Sequence, residues 1–183
     1  MSQTAVAIRY AKSLIQIANE KGILDKVYDD MRMVLVGCQK LKDLHALLNS
    51  PVVKTEKKVQ VLKMIFGGNV NVVTEDFIVL LAKKRRESYL EIIAVEFINQ
   101  YKDQKHIVTA TVTTAIPLDD ATRKNVMEIL KKFYKSEIEL HEKVDMKLIG
   151  GFIITIGNKQ VDMSIQHQLM ELRKDFNQSY ILN

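Results

Sequence analysis

The chain has 183 residues, 47% of them hydrophobic and 27% charged, and a formal net charge of +5. That composition excludes wholesale disorder, and a single cysteine, Cys38, excludes an internal disulfide and any cysteine-based zinc site. Only two prolines and seven glycines occur, which favours long helices, and no apolar run reaches the roughly 18 residues of a membrane span.

Residues 4–103 read as six helices. In the first, Ala7, Ala11, Leu14 and Ala18 form one apolar stripe at helical spacing. Ile8 and Ile15 flank it on one side, Tyr10 and Ile17 on the other, so the apolar arc is wider than one packing neighbour requires. Gly22 closes this helix as a C-terminal cap residue would. Asp25 is expected to open a second helix carrying Val27, Met31, Val34 and Leu35. A third, short helix holds Leu41, Leu44, Leu47 and Leu48, and Ser50-Pro51 then breaks the chain. Thr55 is expected to cap a helix with Val59, Leu62 and Phe66, ended by Gly67-Gly68. Thr74 is expected to cap the next, with Phe77, Leu80, Leu81 and Lys84 along one side. Ser88 introduces the last, with Ile92, Ile93, Phe97 and Tyr101.

From His106 the period changes from 3.6 to 2. Val108, Ala110, Val112, Thr114 and Ile116 share one face of a predicted strand. Asp119 caps a helix that buries Val126, Ile129, Leu130 and Phe133. A second strand is expected over about 138–148, with Ile138, Leu140, Val144, Met146 and Leu148 facing inward. Gly150-Gly151 turns the chain into a third strand, Phe152 to Ile156, and Gly157-Asn158 starts a hairpin turn leading to Val161. Ser164 caps a final helix with the stripe Ile165, Leu169, Leu172 and Phe176. The charge changes at the same point: residues 1–105 carry 17 Lys/Arg against 12 Asp/Glu, and residues 106–183 carry 10 of each. The expected fold is α+β with two domains: a six-helix bundle over 1–105, then a small β-α-β-β-α domain over 106–183, with the boundary near 104–107.

No catalytic set emerges. Gly67-Gly68 and Gly150-Gly151 lack the Lys-Ser/Thr that a phosphate loop needs. His45, His106, His141 and His167 have no metal-ligand spacing, and no nucleophile elbow is present. Asp29-Asp30 and Asp119-Asp120 fit helix starts or polar faces. The dense cationic run Lys83-Lys84-Arg85-Arg86 suits a helix C-terminus, with an anion or RNA patch as the competing reading. Met1 to Tyr10 has the layout of neither a signal nor a transit peptide, so the chain is expected to be soluble, intracellular and unprocessed.

Four segments in order carry a resemblance. They are Ala7 to Ala18, with Arg9-Tyr10-Ala11-Lys12-Ser13-Leu14; Leu48-Asn49-Ser50-Pro51-Val52-Val53, followed by Lys57-Lys58; Phe77 to Arg86, then Leu90-Glu91-Ile92-Ile93; and Gly150-Gly151-Phe152-Ile153-Ile154, Gly157 and Asp162-Met163-Ser164-Ile165 with Leu169. Together they resemble the delta subunit of F-type ATP synthases, called OSCP in mitochondria, over essentially the whole chain. Arg86 falls at a recurrent arginine of that family, while Arg85 and Met163 stand where it usually has small or polar residues. The resemblance implies a non-catalytic stator subunit, without a cofactor, that joins the catalytic alpha/beta hexamer to the peripheral stalk and resists rotor torque. It implies that the helical domain clamps the N-terminal helices of alpha subunits and that the C-terminal domain meets the b subunits. The implied location is peripheral, on the cytoplasmic face of a bacterial plasma membrane, with no nucleic acid partner and no direct membrane insertion. It also places a helix-binding groove between the first and fifth helices, at Tyr10, Ser13, Leu14, Phe77, Leu80 and Leu81; ordinary bundle core is the competing reading for each. The alternative function is an RNA-binding antitermination-type helical module, with Lys83 to Arg86 and Lys57-Lys58 on phosphates.

Overall fold

Helix ends in the first half are set by local chemistry that can be followed residue by residue in the computed structural model, which describes residues 3–134 and 136–181. Helix α1 (Gln3–Glu20) stops where Gly22 takes a left-handed φ of 64°. The Ile23 N–H then reaches the Ala18 carbonyl at 2.9 Å and the Gly22 N–H reaches Asn19 at 3.0 Å, satisfying carbonyls the helix leaves unpaired. Then follow α2 (Leu24–Lys40), α3 (Lys42–Asn49), α4 (Thr55–Phe66), α5 (Val72–Lys83) and, after a 3-10 turn at Glu87–Tyr89, α6 (Leu90–Lys105). The six expected helices are present. Their shared core includes Leu14, Met31, Leu62, Ile78, Ile93 and Phe97, all essentially sealed from solvent. Each such side chain contributes about 1.5–3 kcal/mol by leaving water.

Two expected caps and one helix start are corrected. Asp25 lies inside the first turn of α2, and Thr55 is the first residue of α4 rather than its cap. Helix α5 is capped by Asn71, whose side chain accepts from the Val73 N–H at 3.0 Å. Thr74 is buried instead and donates its hydroxyl to Asp30 at 2.7 Å. Asp30, read from sequence as a helix-start or polar-face residue, is therefore a buried acceptor that also takes the Asn71 N–H at 2.8 Å. Unpaired, that carboxylate would be costly to bury; two donors offset the loss of water.

The chain forms two compact units, the first ending at Gln104 and the second beginning at Lys105. The second is built on strands β1 (Ile107–Thr114), β2 (Glu137–Val144), β3 (Gly151–Ile156) and β4 (Lys159–Ser164), with helices α7 (Asp120–Phe133) and α8 (Ile165–Ile181). The sheet order is β2-β1-β3-β4. β1 runs parallel to β2 across the α7 crossover, as a parallel pair requires. The other two pairings are antiparallel, with Val112 opposite Ile154 and Ile154 opposite Val161. Ala110, Val112, Val126, Leu130 and Ile154 form its core, so α7 covers one face. The α+β class stands as expected, with four strands rather than three, since the segment after Gly157-Asn158 pairs fully as β4. The second strand is shorter than expected. It ends at Val144, and Met146, at 92% exposure, lies in the turn beyond it. Asp119 and Ser164 do cap α7 and α8: Asp119 accepts from the Thr122 N–H at 3.1 Å and Ser164 from the His167 N–H at 3.2 Å. The side chains of Phe133 and Phe176, expected in the stripes of α7 and α8, lie outside those described.

Candidate functional site

The α1 and α5 helices meet through aromatic rings. Tyr10 packs edge-on against Phe77, with centroids 6.2 Å apart and planes at 66°. Phe77 is buried, Tyr10 is half-buried, and Leu80, one turn further along α5, is 45% exposed. Ser13 is exposed, and its hydroxyl donates to the Arg9 carbonyl at 2.9 Å. Leu14 and Leu81, expected at the groove, are instead enclosed in the bundle core, at 0% and 1% exposure. Of the six candidates, Tyr10, Ser13 and Leu80 thus offer surface, Phe77 backs Tyr10, and the other two lie behind.

Two residues were missed in this region. Ile17 is 40% exposed and lies two turns on from Tyr10 along the same side of α1, a spacing legible in the sequence. Arg86 sets its guanidinium over the Tyr10 ring, 5.4 Å from the centroid. No sequence signal pairs residues 76 positions apart.

The cationic run also divides. Lys83, Lys84 and Arg85 are exposed at the end of α5, where cations complement the helix dipole. Lys58 is buried, bonded to Glu87 at 2.6 Å and to the Leu48 carbonyl at 2.9 Å. It is not available to phosphate, which corrects the pairing of Lys57-Lys58 proposed for an RNA-binding module.

In the second unit, the described side chains of the α8 stripe are largely open to solvent. Ile165, Leu169, Met170 and Leu172 are 43–56% exposed, and Gln168, Glu171, Arg173 and Lys174 beside them are exposed too. Cys38 lies buried in the bundle, and burial, reinforced by Glu91, pushes its thiol up to about 12. It is thereby held as an inert thiol at neutral pH.

Leu80 on the helical unit and Ile165, Leu169, Met170 and Leu172 on the other are apolar side chains left open to solvent. Comparison with known proteins supplies the class. The family model for the ATP synthase delta (OSCP) subunit matches residues 6–176. The ATP synthase delta subunit of Cytophaga hutchinsonii is 36% identical over 99% of each chain, and that of Salinibacter ruber 37% identical over 92% of this chain and 89% of its own. A chain of the Toxoplasma gondii mitochondrial ATP synthase hexamer shares the fold, with a TM-score of 0.71 over 93% of this chain and 96% of its own at 22% identity. The chain belongs to the ATP synthase delta (OSCP) subunit family. It is a non-catalytic stator subunit that links the catalytic sector of the F-type ATP synthase to the peripheral stalk.

Proposed function

We propose that the helical unit holds the N-terminal helices of alpha subunits in the groove between α1 and α5, and that the C-terminal unit holds the b subunits through α8 and the neighbouring sheet. Such a subunit works at the cytoplasmic face of a bacterial membrane, peripherally. Among the described residues no helix is long and apolar enough to cross a membrane.

The observation that carries the reading is the exposure of Leu80 one turn from Phe77, whose ring backs Tyr10. A helix laid in a groove anchors through apolar residues at i, i+3, i+4 and i+7, and needs accessible apolar contacts on both walls. Tyr10 and Ile17 supply one wall, and Leu80 supplies the other. An aromatic at a groove edge buries much area while its hydroxyl stays in water. A stator must hold against torque, and apolar burial of this kind is nearly indifferent to salt.

Titration of the full chain with an alpha-subunit N-terminal peptide tests the groove. Tyr10→Ala and Leu80→Ala should each weaken binding about thirtyfold, as loss of a hot spot worth about 2 kcal/mol does. Leu14→Ala should instead cost ~2–5 kcal/mol of folding and leave the affinity of the folded protein unchanged. Unchanged affinity in both Tyr10→Ala and Leu80→Ala would move the groove elsewhere.

A further inference from the structure

The rim of the α1–α5 groove carries a cation that the fold leaves without an anion. The Arg86 guanidinium sits over the Tyr10 ring and makes no ion pair among the described residues. The attraction to the ring is carried by its charge, and its N–H donors make no hydrogen bond among the described residues. The recess at this point, about 390 Å³, is lined by Arg9, Tyr10, Ser13 and Arg86, so two cations line it and no carboxylate does.

The backbone of Arg86 is held on both sides. Its N–H donates to the Leu81 carbonyl at 2.9 Å, and its own carbonyl accepts from the Tyr89 N–H at 3.1 Å. The next residue, Glu87, is buried and joined to Lys58 at 2.6 Å. The Tyr10 ring steadies the head of the side chain. A planar fork of donors fixed in this way is matched to a carboxylate, which it can bind through two parallel hydrogen bonds. A lysine on the incoming chain would meet two like charges instead.

We propose that Arg86 reads a carboxylate on the docked helix. The groove's occupant is then an amphipathic segment with an Asp or Glu beside its apolar stripe. This rests on the groove reading above and adds to it the residue that sets register and rejects basic helices.

The test uses the full chain, calorimetry, and the alpha-subunit N-terminal peptide with each Asp and Glu changed in turn to its amide. Arg86→Gln should bind the unchanged peptide about tenfold more weakly, the scale of one charge-assisted hydrogen-bonded contact. One amide peptide should lose the same factor against the wild-type chain and nothing further against Arg86→Gln. Arg86→Lys should recover part of the loss. Circular dichroism melts of the variants check that they are folded. Equal affinity of wild type and Arg86→Gln, or losses that simply multiply for every amide peptide, would overturn the role of Arg86 while leaving the groove intact. A peptide that does not bind the wild-type chain, or whose binding ignores Tyr10→Ala and Leu80→Ala, would overturn the groove and this inference together.

Discussion

Lys58 and Glu87 form a buried ion pair, 2.6 Å from Nζ to Oε1, with side chains 5% and 10% exposed. The same ammonium donates to the Leu48 carbonyl at 2.9 Å, in the last turn of α3, where helix carbonyls lack intrahelical partners. One side chain on α4 thereby ties the end of α3 to the 3-10 turn that follows Arg86. The second Glu87 oxygen, Oε2, is buried with no hydrogen-bond partner among the described residues.

Removing only the cation should be severe. Lys58→Met leaves Glu87 as an uncompensated buried charge, which typically costs about 3–5 kcal/mol. The double variant Lys58→Met/Glu87→Leu should recover most of that, because an apolar pair carries no desolvation penalty. Urea denaturation of the full chain reads both. A single variant as stable as the double would mean that Glu87 finds solvent when Lys58 is gone.

Arg85 is a second pressure point. It takes φ 57° at the end of α5, in the same capping pattern that Gly22 makes at the end of α1, with hydrogen bonds of 2.9 Å from Arg86 to Leu81 and from Arg85 to Ala82. A side chain in this left-handed conformation costs about 1–2 kcal/mol. Arg85→Gly should therefore stabilise the bundle by about 1 kcal/mol, less what glycine adds to the flexibility of the unfolded chain. A fall in melting temperature would show that the arginine side chain stabilises more than its backbone costs.

Alkaline stability should depend on Tyr101. Its ring stacks on Tyr28 at 3.9 Å and its hydroxyl donates to Asp25 at 2.8 Å. Burial, and then the bond to Asp25, raise the phenol from 10.0 to about 12. The folded chain therefore holds this proton more tightly than the unfolded chain does. That stabilisation is complete below pH 10 and is lost as pH rises towards 12. Tyr101→Phe should flatten this part of the stability–pH curve, followed by chemical denaturation between pH 9 and 12. An unchanged slope would assign the alkaline loss to other groups.

The face of α8 should behave as interface and not as core. Leu169 and Leu172 are 56% and 52% exposed. Leu169→Gln with Leu172→Gln should change the melting temperature little and abolish capture of the b subunits, while alpha-peptide affinity stays at the wild-type value. A large loss of stability with b-subunit binding retained would make this stripe a packing element.

Much of this protein is determined by short-range pattern. The wide apolar arc of α1, the glycine stop at Gly22, the change of period at His106 and the Asp119 and Ser164 caps depend on residues within a turn or two, and local hydrogen bonds carry out the stop and the two caps. Tertiary structure decided what depends on partners far along the chain. Thr74 reads as a cap until Asp30, 44 residues earlier, takes its hydroxyl, and Asn71 caps the helix in its place. Lys58 reads as a surface cation until Glu87 and the Leu48 carbonyl enclose it. Leu14 and Leu80 both lie on apolar stripes, yet one is sealed and the other open. Periodicity tells which face of a helix is apolar; how much of that face neighbours cover is set by packing. For the same reason only the fold brings Arg86 over Tyr10, because a cation and a ring 76 residues apart share no local signal.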